Sequence, residues 1–132
     1  MNISLDFETY SECDIRKAGA YAYADHSTTE VLCMAWMLDG AEPELWTPDM
    51  PAPQRLLDLI DAGATVWAWN SFFEMSIWNL VLKWKPVPIS QWRDTAALAA
   101  AQAYPRALGK CGEALGLTGD DAKSKRGKIL IQ

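Results

Sequence analysis

Cysteine and histidine are scarce in this chain of 132 residues, which has three cysteines and one histidine. Cys13, Cys33 and Cys111 are odd in number and widely separated, which matches neither a disulfide framework nor a zinc-binding pattern. We therefore expect reduced thiols, as in a cytosolic protein. His26 has no second histidine or cysteine nearby, so we expect no metal site built on nitrogen and sulfur ligands.

Long apolar runs and an excess of positive charge are absent as well. No apolar run approaches the ~20 residues that a membrane-spanning helix needs. The N-terminus leads directly into a strand-like pattern, without the basic segment and apolar run of a signal peptide, so we expect no membrane association. The formal net charge is −5. A nucleic acid would therefore have to be held by a local patch or through metal ions.

Hydrophobic residues make up 50% of the chain and seven residues are tryptophan, which is enough for one domain with a hydrophobic core. The spacing of the apolar residues predicts strands at residues 2–9, 30–38, 44–47, 65–69 and 89–93. It predicts helices at residues 54–62, 71–84, 96–103 and 106–115. The polar segment between the first two strands is expected to be a long connection with at most one helical turn.

Turn residues and crossovers predict how the strands pair. Asp39 and Gly40 lie between two strand-like runs, which is a strong hairpin signal, so the first three strands are expected to form an antiparallel meander. A helix precedes both the fourth and the fifth strand, and such crossovers place strands parallel to their neighbours. The expected fold class is α/β, a mixed five-stranded sheet with helices on both faces and the first strand in its centre.

The first strand carries two carboxylates on one face. Ile3, Leu5 and Phe7 alternate with polar residues, and this period of two predicts one apolar face. Asp6 and Glu8 are two positions apart, so both leave the opposite face, where like charges repel. A cation between them would remove that repulsion, and oxygen-only ligands suit Mg²⁺ or Mn²⁺. The alternative is that these residues form the solvated outer face of an edge strand.

A second group of polar residues follows the fourth strand, in the segment Asn70–Glu74. Ser71 and Glu74 have the spacing of a capping box, which is a purely structural interpretation. The functional interpretation places Glu74 in the first helical turn at the carboxyl end of a parallel strand, where sites collect in open α/β sheets. Asp94 follows the fifth strand and also has two interpretations, an N-cap of the next helix or a catalytic carboxylate.

These segments, in this order, resemble a known family. The element order is that of the ribonuclease-H-like fold, and the chain resembles the 3′–5′ proofreading exonuclease domain of family A DNA polymerases, particularly those of phages and prophages. The resemblance covers most of the chain and rests on Leu5–Thr9, Asn70–Glu74 and Asp94-Thr95. The segments Asp14–Tyr21 and Gly109–Leu117 are also similar to the phage members.

What the resemblance implies is a hydrolase acting on the 3′ end of single-stranded DNA, with two Mg²⁺ or Mn²⁺ ions held by carboxylates. Asp6 would bridge the two ions, Glu8 would hold the ion that activates water, and Glu74 would take the position of the second motif. The resemblance also implies a place in the cytoplasm of a bacterial or phage-infected host cell, with the remainder of a DNA polymerase as a partner. Residues expected to contact DNA are Thr9, Tyr21, Asn70 and Phe73. For the tyrosine, covering the sheet edge is the alternative to stacking on a base.

One departure from the family concerns its third motif. No Tyr-x-x-x-Asp or His-x-x-x-Asp pattern occurs after Asp94. Residues 1–132 would therefore be a single exonuclease-like domain, truncated before that motif and weak or inactive in this form. Two alternatives remain, a degenerate domain of the same fold that only binds nucleic acid or protein, and a phosphatase of the Asp-x-Asp type. A basic cluster at the end of the chain is expected either to contact phosphate or to fray; it consists of Lys123, Lys125, Arg126 and Lys128.

Overall fold

The computed structural model describes residues 1–117, and the chain divides into two units, Met1–Asp94 and Thr95–Gln132. The first unit contains the sheet, and the described part of the second contains two helices. That the two units form a single domain stays a prediction. The basic cluster of Lys123, Lys125, Arg126 and Lys128 lies outside the described residues.

Within residues 1–117, five strands form one mixed sheet. They are β1 (Asn2–Tyr10), β2 (Glu30–Leu38), β3 (Glu44–Trp46), β4 (Thr65–Ala68) and β5 (Trp92–Asp94). Their order in the sheet is β3-β2-β1-β4-β5. The central strand β1 pairs antiparallel with β2 and parallel with β4, while β3 extends the antiparallel side and β5 the parallel side. The predicted α/β fold class is confirmed, with the strand order of a ribonuclease-H-like arrangement.

The helices follow the predicted order with shorter bounds. The first unit contains α1 (Ile15–Asp25), α2 (Gln54–Asp61) and α3 (Ser71–Ile77), and α3 continues into a π-helical turn, Trp78–Leu82. A 3₁₀ turn, Ile89–Gln91, occupies most of the segment predicted as the fifth strand. The second unit contains α4 (Thr95–Ala101) and α5 (Leu108–Ala114). None of the helices in the described residues has the length and apolar character that crossing a bilayer requires.

The segment between β1 and β2 is mostly helical, so the prediction of a long connection with one helical turn is wrong. Asp14 caps α1, because its side chain accepts a hydrogen bond from the Arg16 backbone N–H at 2.9 Å. Gly19 interrupts α1 with a φ of 84°, a left-handed conformation that glycine adopts readily. The interruption leaves two short helical pieces, so no full helical period of apolar residues is visible in the sequence.

The hydrophobic core lies on the face of β1 that carries Ile3, Leu5 and Phe7, all of which are buried. Buried residues of α1, α2 and α3 belong to the same apolar cluster. Trp78 is fully buried there and meets two other tryptophan rings edge-on, with centroids 5.0 and 6.4 Å away. Because side chains alternate along a strand, the polar residues of β1 face away from this core, and those exposed include Asp6 and Glu8.

Candidate functional site

The end of β1 runs past the neighbouring strand β4. The ladder between them joins β4 to Asn2, Ile3 and Ser4, whereas β1 continues to Tyr10. Two residues separate β4 from α3, and α3 contacts both β1 and β4. The first turn of α3 therefore lies at the carboxyl end of a parallel strand, the place where sites form in open α/β sheets.

Asn70 makes the turn between β4 and α3. Its φ and ψ are 59° and 61°, a left-handed conformation that asparagine tolerates better than most residues. Within the described residues, the Asn70 side chain makes no capping hydrogen bond to α3. Instead, the carboxylate of Asp94 accepts the backbone N–H of Asn70 at 3.2 Å and that of Ser71 at 3.3 Å. Asp94 thus caps α3, a role that we did not predict.

The predicted capping box of Ser71 and Glu74 is wrong. The residue that precedes α3 is Asn70, so Ser71 is already helical. Glu74 is only 2% exposed, and its Oε2 atom has no hydrogen-bond partner in the part of the chain that the structure describes. A buried carboxyl oxygen without a partner destabilises the fold, so capping does not account for Glu74 at this position.

The pKa of Glu74 is raised to about 8, mainly because burial removes water from the carboxylate and further because the charges of Asp6 and Asp94 repel it. The backbone N–H groups of Glu74 itself and of Phe7 oppose this shift. The Glu74 carboxyl therefore lies close to the backbone of β1 and within electrostatic reach of two acidic side chains. Near neutral pH it holds a proton.

Cys33, on the opposite side of β1 from β4, also has a pKa that depends on Asp6. It lies opposite Glu8 in the antiparallel ladder with β2. Burial, followed by the charges of Glu8 and Asp6, raises the pKa of its thiol. Cys13, Cys33 and Cys111 are all free thiols in this structure. The negative charge of Asp6 therefore contributes to the raised pKa of two groups, Cys33 on β2 and Glu74 on α3.

The predicted metal ligands are Asp6, Glu8 and Glu74. In the described part of the chain, no three histidine, cysteine, aspartate or glutamate side chains are arranged so that they could hold a metal ion. The donor set nevertheless suits Mg²⁺ or Mn²⁺, because all of its atoms are carboxylate oxygens and one of them is buried without a partner among residues 1–117. Asp6 and Glu8 are exposed, so both can adopt other rotamers. Metal binding here stays a prediction that requires such a rearrangement.

The residues predicted to contact DNA occupy two different settings. Tyr21 is 59% exposed, and Asn70 is exposed at the start of α3. Thr9 and Phe73 instead contact Tyr23, since the hydroxyls of Thr9 and Tyr23 are 2.8 Å apart and the Tyr23 and Phe73 ring centroids 5.9 Å apart. Tyr23 is buried and joins α1 to β1 and α3. The role of all four predicted residues in DNA binding stays a prediction.

One exposed aromatic residue of this region was not among the predicted site residues. Phe72 is 58% exposed and belongs to the first turn of α3. An exposed ring offers a face on which a nucleic-acid base can stack. The signal in the sequence is that Phe72 lies off the apolar stripe that Phe73 and Ile77 begin. Phe72 therefore joins the candidate residues for DNA contact.

Comparison with known proteins finds a relative among phage DNA polymerases. No protein-family model matches it. It is 33% identical, over 138 aligned positions, to the DNA polymerase of Bacillus phage SP02. The alignment covers 98% of this chain but 20% of that polymerase, so the chain spans about a fifth of the length of the relative it matches. The chain is thus related in sequence to a phage DNA polymerase.

Proposed function

We propose that the chain is the 3′–5′ exonuclease segment of a phage-type DNA polymerase, which removes nucleotides from single-stranded 3′ ends by metal-dependent hydrolysis. The relationship to a phage DNA polymerase supports the polymerase context. The strand order of the sheet supports a ribonuclease-H-like fold. The observation that carries the proposal is the buried carboxyl of Glu74, whose Oε2 atom has no partner within residues 1–117 and whose pKa responds to Asp6.

A buried and unpaired carboxyl group needs an explanation, because it weakens the fold that contains it. Burying a leucine or a glutamine at this position would cost less free energy than burying a glutamate. A role as an oxygen ligand near the charges of Asp6 and Asp94 would explain the choice, since a divalent cation would partner the open oxygen and offset the repulsion among the acids. The location of Glu74 at the carboxyl end of β4 agrees with this role.

Asp6, Glu8 and Glu74 would hold the metal. When bound, Mg²⁺ or Mn²⁺ would activate a water molecule and stabilise the leaving 3′ oxygen. The chain itself would contribute three carboxylates from two elements that contact each other, β1 and α3. Glu74 has to release its proton on binding, so ligand binding at this site is expected to be weaker at acidic pH.

In this proposal, exposed side chains of α1 and of the junction between β4 and α3 contact the substrate. Phe72 and Tyr21 offer exposed ring faces for stacking on the terminal bases. Asn70 is exposed two positions before Phe72, and its side-chain amide can donate a hydrogen bond to a phosphate oxygen. The Thr9–Tyr23–Phe73 contacts join α1, α3 and the end of β1, the elements that carry the proposed ligands and stacking residues.

The test is digestion of a 5′-labelled single-stranded oligonucleotide with Mn²⁺, together with direct measurement of Mn²⁺ binding by calorimetry. We expect slow release of mononucleotides from the 3′ end, and we expect Asp6→Asn and Glu74→Gln to reduce both release and Mn²⁺ affinity. Glu42→Gln is the matched control, because Glu42 is an exposed acid between β2 and β3. Digestion that persists unchanged in Asp6→Asn, or Mn²⁺ binding that ignores both site variants, would overturn the proposal.

A binding module without hydrolysis is the second candidate. The observation that favours it is that no three metal-ligating side chains are assembled in residues 1–117. If the chain is such a module, we expect it to bind single-stranded DNA in EDTA and not to digest the DNA after metal is added. Equal DNA affinity in wild type and Asp6→Asn, without release of nucleotides from either, would support it over the exonuclease.

A further inference from the structure

Asp94 connects two elements that meet at the candidate site. It is the last residue of β5 and lies opposite Ala68 in the parallel ladder with β4. Its two carboxylate oxygens serve different donors, with Oδ1 accepting the N–H of Asn70 at 3.2 Å and Oδ2 the N–H of Ser71 at 3.3 Å. One side chain therefore holds both backbone groups at which the chain turns from β4 into α3.

This turn depends on outside support. α3 has seven residues, too few to be stable as an isolated helix. Asn70 is in the left-handed region, and its own side chain makes no capping bond in the described structure. The first N–H groups of a helix lack intrahelical partners, and a negative charge beside them is stabilising. Asp94 supplies both the acceptors and the charge.

The orientation of this turn decides where Glu74 lies. Glu74 belongs to the first turn of α3, so a rotation of the backbone at Asn70 and Ser71 would carry its carboxyl away from β1. We propose that Asp94 is a positioning residue, which acts through the backbone of Asn70 and Ser71 to hold the Glu74 carboxyl against β1. This inference rests on the proposed function in one respect, namely that metal binding is the reason for holding the Glu74 carboxyl against β1.

The alternative role for Asp94 is that of a direct metal ligand, and the two roles make different demands. A positioning residue needs an acceptor oxygen, whereas a ligand to a hard cation needs the charge. Both oxygens of Asp94 already accept backbone hydrogen bonds, which favours positioning. Asp94→Asn keeps one acceptor oxygen and removes the charge, while Asp94→Ala removes both.

The experiment compares these two variants with wild type in the complete chain, with Asp39→Ala as a control at an exposed acid of the β2–β3 turn. Hydrogen exchange measured by NMR without metal reports on the turn, and calorimetry reports on Mn²⁺ affinity. In Asp94→Ala we expect amide exchange at Asn70 and Ser71 to accelerate, and Mn²⁺ affinity to fall by about tenfold or more. In Asp94→Asn, which keeps one of the two acceptor oxygens, we expect part of the protection to return, with Mn²⁺ affinity within about threefold of wild type.

Two results would overturn the positioning role. One is unchanged exchange at Asn70 and Ser71 in Asp94→Ala, and the other is a loss of Mn²⁺ affinity in Asp94→Asn as large as in Asp94→Ala, which marks a direct ligand. If wild type binds no Mn²⁺, the proposed function fails, while the exchange measurement still decides the role of Asp94. If Asp94→Ala does not fold, the exchange and affinity of Asp94→Asn decide it, because a charge-dependent ligand would lose affinity without losing protection.

Discussion

At the scale of single residues, Glu74 makes the stability of the protein depend on pH. Its pKa is about 8 in the folded chain, against a usual value of 4.5. Between these values the unfolded chain releases the proton and the folded chain keeps it. The free energy of unfolding is therefore highest below the usual value and falls as pH rises towards the folded value, by up to about 1.4 kcal/mol per pH unit.

Glu74→Gln should remove most of this dependence, because glutamine is neutral in both states. In EDTA, we expect the variant to be more stable than wild type at about pH 8 and similar to it at about pH 5. Urea denaturation at a series of pH values measures the difference. Glu42→Gln, at an exposed acid, should follow the wild-type curve. Parallel curves for wild type and Glu74→Gln would mean that Glu74 is not protonated in the folded chain.

Asp6→Asn tests the repulsion among the carboxylates. Asp6 and Glu8 leave the same face of β1, and like charges on neighbouring positions of a sheet destabilise it. In metal-free buffer we expect Asp6→Asn to raise the free energy of unfolding by at most about 1 kcal/mol. With saturating Mn²⁺ the order should reverse, since wild type alone keeps the full ligand set. If Asp6→Asn is no more stable than wild type in EDTA, the result counts against repulsion between carboxylates at the end of β1.

At the scale of elements, the junction between β4 and α3 determines where Glu74 lies. β4 ends at Ala68, and α3 begins directly after the left-handed Asn70, so the first turn of α3 lies next to β1 and β4. This junction combines the strain of Asn70 with the two hydrogen bonds to Asp94. At position 70, the stability of the junction should therefore respond to the backbone preference of the residue more than to contacts of its own side chain.

Asn70→Gly and Asn70→Ala separate these contributions. Alanine adopts the left-handed region poorly, so Asn70→Ala should lower the free energy of unfolding by about 1 kcal/mol or more. Glycine adopts it readily, and Asn70→Gly should stay within about 0.5 kcal/mol of wild type. Chemical denaturation of the three proteins provides the measurement. Equal losses in both variants would show that the Asn70 side chain, rather than its backbone conformation, stabilises the turn.

At the scale of the whole molecule, the net charge of −5 opposes binding to DNA, which is also negative. A divalent ion at the acidic site would reduce that repulsion locally. We expect the affinity for a single-stranded oligonucleotide with a phosphorothioate 3′ linkage to rise several-fold when Mg²⁺ replaces an equal ionic strength of potassium salt. Fluorescence anisotropy measures this, and Asp6→Asn should show a smaller response. An equal DNA affinity in the two salts would mean that DNA binding does not depend on a metal ion at the acidic site.

The amino-acid sequence by itself determined the sheet and the carboxylates on its central strand. The alternation along β1 is local, so it predicted which residues are buried and that Asp6 and Glu8 share the opposite face. The hairpin at Asp39 and Gly40 and the helical crossover before β4 similarly predicted a mixed sheet with β1 in its centre. Each of these signals lies within a few residues of the element it specifies, which is why sequence periodicity was sufficient.

Only the tertiary structure decided how the candidate site is built. The acceptor that caps α3 comes from Asp94, 24 residues beyond Asn70, and the hydroxyl that meets Thr9 comes from Tyr23, 14 residues away. The burial of Glu74 likewise depends on β1 and α3 meeting in space. A capping box is the best local solution for Ser71 and Glu74, but packing supplied a different cap and left the Glu74 carboxyl buried beside β1. Such choices depend on contacts between distant residues, and no local pattern contains them.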